Sequence, residues 1–182
     1  DEIKFVLDRK EYCNRVTDML KFGEIPWRVT HNDTKLNNVL FDCTTKRAIC
    51  VIDLDTIMPG SLLYDFGDAV RSGCSTGLED EKDLKKVSFD LSLFTRLAKG
   101  FLEGIGDNIT VDEKDMLAFG GILMTYECGM RFLTDYLSGD TYFKTTYPEH
   151  NLVRARSQFK LVSDMERHLA KINKAVTKFS KV

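Results

Sequence analysis

A chain of 182 residues with 43% hydrophobic and 30% charged content is ordinary globular material, which excludes the disordered and fibrous classes. A formal charge of −2 and a pI near 6.0 offer no basic footprint for nucleic acid or an anionic membrane, and no apolar run approaches the roughly 20 residues that cross a bilayer. The expectation is a cytoplasmic protein with a small-molecule partner, no nucleic acid and no membrane; oligomeric state is left open.

Along the chain, residues 8–22 alternate charged and apolar character at helical spacing (Tyr12, Val16, Met19, Leu20), and Gly23 followed by Pro26 stops that helix. Residues 27–30 and 39–41 are short β-prone pieces, and residues 48–54 form a longer run rich in Ile and Val. The polar stretch 42–46 makes the last two a hairpin. From Tyr64 onward the pattern is helical and strands do not return. A helix is predicted over 83–103, ended by Gly104 and Gly106, and another from the capping box Thr110-Val111-Asp112-Glu113 to about Leu137, closed by Gly139. After an aromatic loop at 142–148, an amphipathic helix spans about 152–179. The five cysteines (Cys13, Cys43, Cys50, Cys74, Cys128) are odd in number and lack C-x-x-C spacing, which suits reduced thiols rather than a disulfide or zinc framework. The fold class expected is mainly α with a small β-hairpin, one unit over 1–182.

The chemistry is concentrated in His31-Asn32-Asp33-Thr34-Lys35-Leu36-Asn37-Asn38 and in Cys50-Val51-Ile52-Asp53-Leu54-Asp55. A carboxylate in a loop between strands can orient and deprotonate a hydroxyl, help worth roughly 10²–10⁴ in rate. An amide oxygen five residues on and a carboxylate at the end of a strand over 48–54, expected to be buried, are oxygen ligands for a hard cation that keeps several waters. Asp33, Asn38 and Asp53 supply these groups in that order, with Asp55 able to help through water. The competing reading is that they are ordinary turn and cap residues.

The pattern H-x-D-x-x-x-x-N, two short strands, then Ile-Asp, resembles the aminoglycoside phosphotransferase and choline kinase group of protein-kinase-like small-molecule kinases. The stretches 51–60, 64–68 and 127–143 extend the likeness toward the branch that phosphorylates N-acetylhexosamine. The resemblance implies a protein-kinase-like C-terminal lobe, ATP as co-substrate, Mg²⁺ on Asn38, Asp53 and Asp55, and Asp33 as catalytic base. It further implies Asp33, Arg131 and Tyr142 as sugar contacts, with His31 and Asp65 supporting the loop. Asp65-Phe66-Gly67 spells the D-F-G magnesium motif of protein kinases, but Asp65 lies 32 residues past Asp33 whereas Asp53 lies 20 past it in strand context. Asp65 is not assigned to the metal, and the resemblance implies that it braces the catalytic loop by accepting backbone hydrogen bonds, partners that a buried carboxylate needs.

Simpler roles compete at several positions. Arg131 can pair with Glu127 at i, i+4, and Tyr142 can merely anchor its loop. His150 is read as a loop residue, His168 as a solvated helix residue, and Lys171, Lys174, Lys178 and Lys181 as a solvated face near a helix C-terminus. The residues before His31 are mostly helical and hold a single glycine, Gly23, so the glycine-rich turn, strand lysine and helical glutamate of a nucleotide lobe cannot be placed. With Asp1 in place of Met, the expectation is a C-terminal lobe whose N-terminal nucleotide lobe is absent, inactive alone and part of an ATP-dependent sugar kinase. The alternatives are a kinase of choline, an aminoglycoside or homoserine, and a truncated, non-catalytic sugar-binding module.

Overall fold

The computed structural model describes residues 1–179, so Lys181 lies outside the described residues. The chain enters through two helices, α1 (Glu2–Leu7) and α2 (Tyr12–Phe22), where the periodicity predicts one helix starting at Asp8. The break is tertiary in origin. Arg9 turns out of the helical line to place its guanidinium over Phe5, 3.7 Å from the ring, and to grip Glu166 at 2.8 Å through both Nε and Nη2. Val16 and Leu20 bury the inner face of α2, and Gly23, at φ 72°, ends it in the left-handed conformation that a Cβ would disfavour.

The sequence predicts one hairpin; the structure has two two-stranded antiparallel sheets. One pairs β1 (Arg28–Thr30) with β4 (Met58–Gly60), and the other pairs β2 (Val39–Phe41) with β3 (Ala48–Val51). Strand β4 carries no β-prone signal. It is recruited at an edge, where Pro59 is tolerated, and held by the Thr30 hydroxyl donating to the Met58 carbonyl at 2.9 Å. The predicted buried run at 48–54 is also corrected. β3 stops at Val51 and is exposed along its whole length, because a two-stranded ribbon with nothing laid on it buries neither face. Asp53 then takes φ 66° and opens a 3₁₀ turn at Leu54–Thr56.

Helix α3 (Leu62–Gly73) is capped by Ser61, whose hydroxyl accepts from the Leu63 N–H. The helix predicted over 83–103 begins later, as α4 (Leu91–Ile105). Asp83 caps only a single 3₁₀ turn at Leu84–Lys86; Asp90, accepting from the Ser92 and Leu93 N–H groups, is the effective cap. Between them Phe89 bridges to Ser75 in an isolated β contact, a strand-like feature after Tyr64 that the pattern does not announce, and its N–H donates to Asp164 at 2.7 Å. The helix runs through Gly104 and ends at Gly106.

Helix α5 (Val111–Leu137) starts at the expected capping box, with the Glu113 N–H on Thr110 Oγ1 at 3.2 Å and the Thr110 N–H on Glu113 Oε2 at 2.8 Å. Helix α6 (His150–Phe179) begins two residues early. His150 is accordingly corrected from loop to buried helix start: its Nδ1 accepts from the Thr146 N–H at 3.2 Å, Nε2 faces Asp80 at 3.2 Å, and Tyr147 stacks on the ring at 4.3 Å. His168, expected in solvent, is two-thirds covered and donates from Nδ1 to the Asp164 carbonyl.

Helix α5 is the spine, packed along both α3 and α6. The main core gathers Leu63, Phe66, Leu117, Tyr126 and Met165; a smaller one, Phe132, Leu133, Leu152, Ala155 and Phe159, lies under the aromatic loop. Helices α3 and α5 approach so closely at Gly67 that a Cβ there would strike the Gly120 carbonyl and fall 2.6 Å from Met124 Cγ. Among the described residues all five cysteines are free, and no helix is long and apolar enough to cross a membrane.

Candidate active site

The loop 31–38 joins β1 to β2, and its shape is imposed from below by α3. Asp65, in the first turn of that helix, accepts the His31 N–H at 2.9 Å and the Asn32 N–H at 2.8 Å, one on each carboxylate oxygen. This bidentate grip accommodates Asn32 at φ 62°, a left-handed conformation tolerated by Asn more than by most residues. The Thr34 hydroxyl donates to the Asp65 carbonyl at 2.5 Å, and the Thr56 hydroxyl donates to the His31 carbonyl at 2.6 Å. His31 closes the arrangement. Its Nδ1 accepts the Asp33 N–H at 3.3 Å, so the proton sits on Nε2, which donates to the Ile52 carbonyl at 3.0 Å.

Asp33 emerges from this frame with one oxygen committed. Its Oδ2 accepts from Lys35 Nζ and from Asn38 Nδ2, both at 2.7 Å, and Asn38 also donates to the Asp33 carbonyl at 2.9 Å. Burial pushes the Asp33 carboxyl up, but the Lys35 and Asn38 hydrogen bonds and the Lys35 charge outweigh it, leaving it below the usual carboxylate range. Asp33 is therefore an ionised, oriented hydrogen-bond acceptor at neutral pH, with Oδ1 uncommitted among the described residues. Lys35 belongs to the quoted motif, yet sequence reasoning gave it no role. Its position two residues past the carboxylate was the available signal.

Asn38 is buried, and its amide nitrogen is engaged by Asp33, so its amide oxygen is the atom left for a cation. Strand register sets it beside Asp53: Val39 lies opposite Val51, and the Ile52 N–H donates to the Asn38 carbonyl at 2.9 Å. Asp53 is exposed, two residues past the strand rather than at its buried end. Its hydrogen bond and like-charge contact with Asp55, with a smaller push from Asp33, hold its carboxyl above the usual range. Crowded like charges favour a divalent cation, and an all-oxygen set of two carboxylates and one amide has the donor chemistry of a hard-cation site. No group of three or more His, Cys, Asp or Glu residues placed to hold a metal occurs among the described residues.

On the other side of Asp33 a cleft of about 530 Å³ opens between α3, α5 and the aromatic loop, and Arg131, Tyr142 and Asp33 all line it. Asp53 and Asp55 lie outside its lining. Arg131 makes no ion pair with Glu127 among the described residues; its guanidinium sits 5.8 Å from the Tyr142 ring centre and 5.5 Å from that of Phe143. The loop is tied down by Asp135, missed in the sequence, which accepts the Thr141, Tyr142 and Phe143 N–H groups at 2.8–2.9 Å and the Asn151 amide at 2.9 Å. Burial pushes the Asp135 carboxyl up, and the three backbone donors bring it below the usual range. Cys128 is in the same wall, where burial pushes its thiol up to about 12, so it packs rather than reacts.

Residues 8–90 match the model for the phosphotransferase enzyme family. The matched stretch contains the loop 31–38, Asp53, Asp55 and the Asp65 brace; Arg131 and Tyr142 lie beyond it. The match and the geometry around Asp33 agree on the same segment, and that segment of the chain is similar to a phosphotransferase.

Proposed function

We propose that this chain forms the catalytic-loop, metal and acceptor half of a kinase, an N-acetylhexosamine 1-kinase, which moves the γ-phosphoryl of ATP to the anomeric hydroxyl of the sugar. The observation that carries this reading is the oriented Asp33 carboxylate, fixed by Lys35, Asn38 and the Asp65-braced loop, at the mouth of a polar cleft. In this role Asp33 Oδ1 accepts the hydrogen bond of the sugar hydroxyl, aligns the oxygen for attack on the γ-phosphorus, and takes its proton as the new P–O bond forms and the bond to the β–γ bridging oxygen breaks, releasing ADP. Asn38, Asp53 and Asp55 would hold Mg²⁺, which would supply charge neutralisation for the transferred phosphoryl group.

The cleft supports a neutral acceptor over a cationic one. Its lining has four acids (Asp33, Asp68, Glu79, Glu127) against five bases (Lys35, Arg71, Arg131, Lys144, Arg154), without the acidic excess that an aminoglycoside would favour. Arginines already attend its rings: Arg131 lies 5.8 Å from the Tyr142 centre and 5.5 Å from that of Phe143, and Arg154 lies 5.3 Å from the Phe132 centre, which disfavours a second cation among them. A second observation supports a covering nucleotide lobe. Val29, Ile49, Val51, Leu54 and Met58, on β1, β3, β4 and the turn that carries Asp55, are each more than half exposed, apolar surface of the kind that a further domain covers. On this reading the chain without such a lobe does not turn over.

Phosphorus NMR tests the proposal, using a longer protein that carries this chain behind a nucleotide-gripping segment, with magnesium-ATP and a panel of N-acetylhexosamines, choline and an aminoglycoside. A sugar 1-phosphate is the expected product. Phosphorylation of choline or the aminoglycoside alone overturns the acceptor, and no product from any member overturns the kinase reading.

A further inference from the structure

Arg71 stands in the last turn of α3 and lines the cleft with a side chain only 10% exposed. Its guanidinium carries five N–H donors in one rigid plane. Asp68 Oδ1 accepts from Nε at 2.8 Å, and Glu79 Oε1 accepts from Nη1 at 2.8 Å. Nη2 is left without a hydrogen-bond partner among the described residues. Four side-chain atoms there are sealed from solvent and unpartnered, Asp68 Oδ2, Tyr147 Oη, Arg154 Nε and Gln158 Oε1; Nη2 is not one of them, so it keeps a surface open to the cleft that Arg71 lines. Two carboxylates already face this one guanidinium, which leaves no net positive charge to draw an anion. What remains is a fixed and strongly polarised donor, suited to an uncharged oxygen.

The geometry points to Arg71 as a specificity-determining residue whose Nη2 donates a hydrogen bond to the acetamide carbonyl oxygen of the acceptor seated against Asp33. This inference rests on the sugar-kinase reading and deepens it. The carbonyl is the strongest uncharged hydrogen-bond acceptor on an N-acetylhexosamine, and glucose offers only a shorter hydroxyl at the same carbon. Asp68 and Glu79 hold the guanidinium on two of its edges, so little side-chain freedom is lost when the third edge meets the sugar. Arg131 lacks that fixation, since its guanidinium lies by the Tyr142 and Phe143 rings and pairs with no carboxylate among the described residues. A site built around a donor discriminates against a ligand that cannot meet it.

The test is calorimetric binding of N-acetylglucosamine and glucose to this chain, as wild type and as Arg71→Lys. The variant keeps a positive charge for Asp68 and Glu79 and removes the Nη2 donor. Wild type is expected to bind N-acetylglucosamine roughly 10- to 100-fold more tightly than glucose, as for a hydrogen bond that involves a charged group. In Arg71→Lys that preference collapses, with N-acetylglucosamine weakened by a similar factor and glucose affinity kept within a few-fold. Equal affinity of wild type for the two sugars, an unchanged preference in the variant, or a parallel loss of both sugars overturns the Arg71 contact alone. Absence of N-acetylglucosamine binding by wild type overturns the acceptor reading, and the contact with it. Should the variant fail to fold, ¹⁵N NMR of the arginine side chains in wild type serves instead. An Arg71 Nη2 resonance that moves with N-acetylglucosamine and not with glucose is expected; no movement, or the same movement with both sugars, overturns the proposal.

Discussion

Asp65→Asn separates the two readings of the D-F-G sequence. The carboxylate accepts two backbone N–H groups, from His31 at 2.9 Å and Asn32 at 2.8 Å. Hydrogen bonds to a charged group contribute about 1.5–3 kcal/mol each, and a stranded N–H adds its own penalty. Asn keeps one acceptor and turns an NH₂ against the other donor, so the variant loses one bond and strands one N–H, about 2–4 kcal/mol. At about 2–4 °C per kcal/mol for a chain of this size, melting should fall by roughly 5–15 °C. The assay is thermal denaturation by circular dichroism in EDTA, with hydrogen exchange at the His31 and Asn32 amides as the local readout. Faster exchange at both amides is expected, since the loop is released first. A metal ligand behaves differently: its removal leaves melting in EDTA untouched and lowers only the shift that magnesium produces. Melting in EDTA within about 1 °C of wild type, together with unchanged exchange, would refute the brace.

Three further outcomes follow from the same geometry. Asp33→Asn removes the base at nearly constant volume, so turnover of the sugar in the nucleotide-competent protein should drop by roughly 10²–10⁴ with sugar affinity kept within a few-fold; turnover within tenfold of wild type would sink the assignment. Glu113 is fully buried at the start of α5, where Arg28 donates to it from Nε at 2.9 Å and Nη2 at 2.7 Å; burial pushes its carboxyl up, but Arg28 and Thr110 bring it below the usual range. A carboxyl lower in the folded than in the unfolded chain binds fewer protons when folded, so its stabilisation is complete above the unfolded value of roughly 4.3 and fades as pH drops through the folded value. Glu113→Gln should therefore destabilise by about 2–3 kcal/mol at pH 7, less than for a fully buried pair because Arg28 is a quarter exposed, and should flatten the acid limb of melting temperature against pH; a limb of unchanged slope contradicts this. Gly67→Ala drives a methyl into the α5 backbone at Gly120 and should lower stability by about 1–3 kcal/mol, visible as a lower urea midpoint; a midpoint equal to wild type would show that the helices can part without strain.

Local chemistry accounts for what could be read from the order of residues. Thr110 and Glu113 mark the start of α5 because both halves of a capping box lie within one turn, and Gly23 and Gly106 mark helix ends because the left-handed backbone is local. Part of the loop 31–38 was legible for the same reason: Asp33 and Asn38 meet over a span of five residues, while Lys35 was given no role and the brace on the loop comes from Asp65 on α3. The tertiary structure decided whatever depended on distant partners. Strand β4 exists because Met58–Gly60 meets β1 from 28 residues away, Arg9 breaks the first helix for Glu166, and Asp83 yields to Asp90 as a helix cap where Phe89 is held by Asp164 on α6. The exposure of β3 is likewise a matter of what covers it, which periodicity cannot express. Most consequential for function, the cleft joins Asp33 to Arg131 and Tyr142 roughly a hundred residues later. Spacing along a chain fixes which groups share a turn of helix or a loop; only packing of α3 against α5 and of the aromatic loop against α6 fixes which of those groups face the same space.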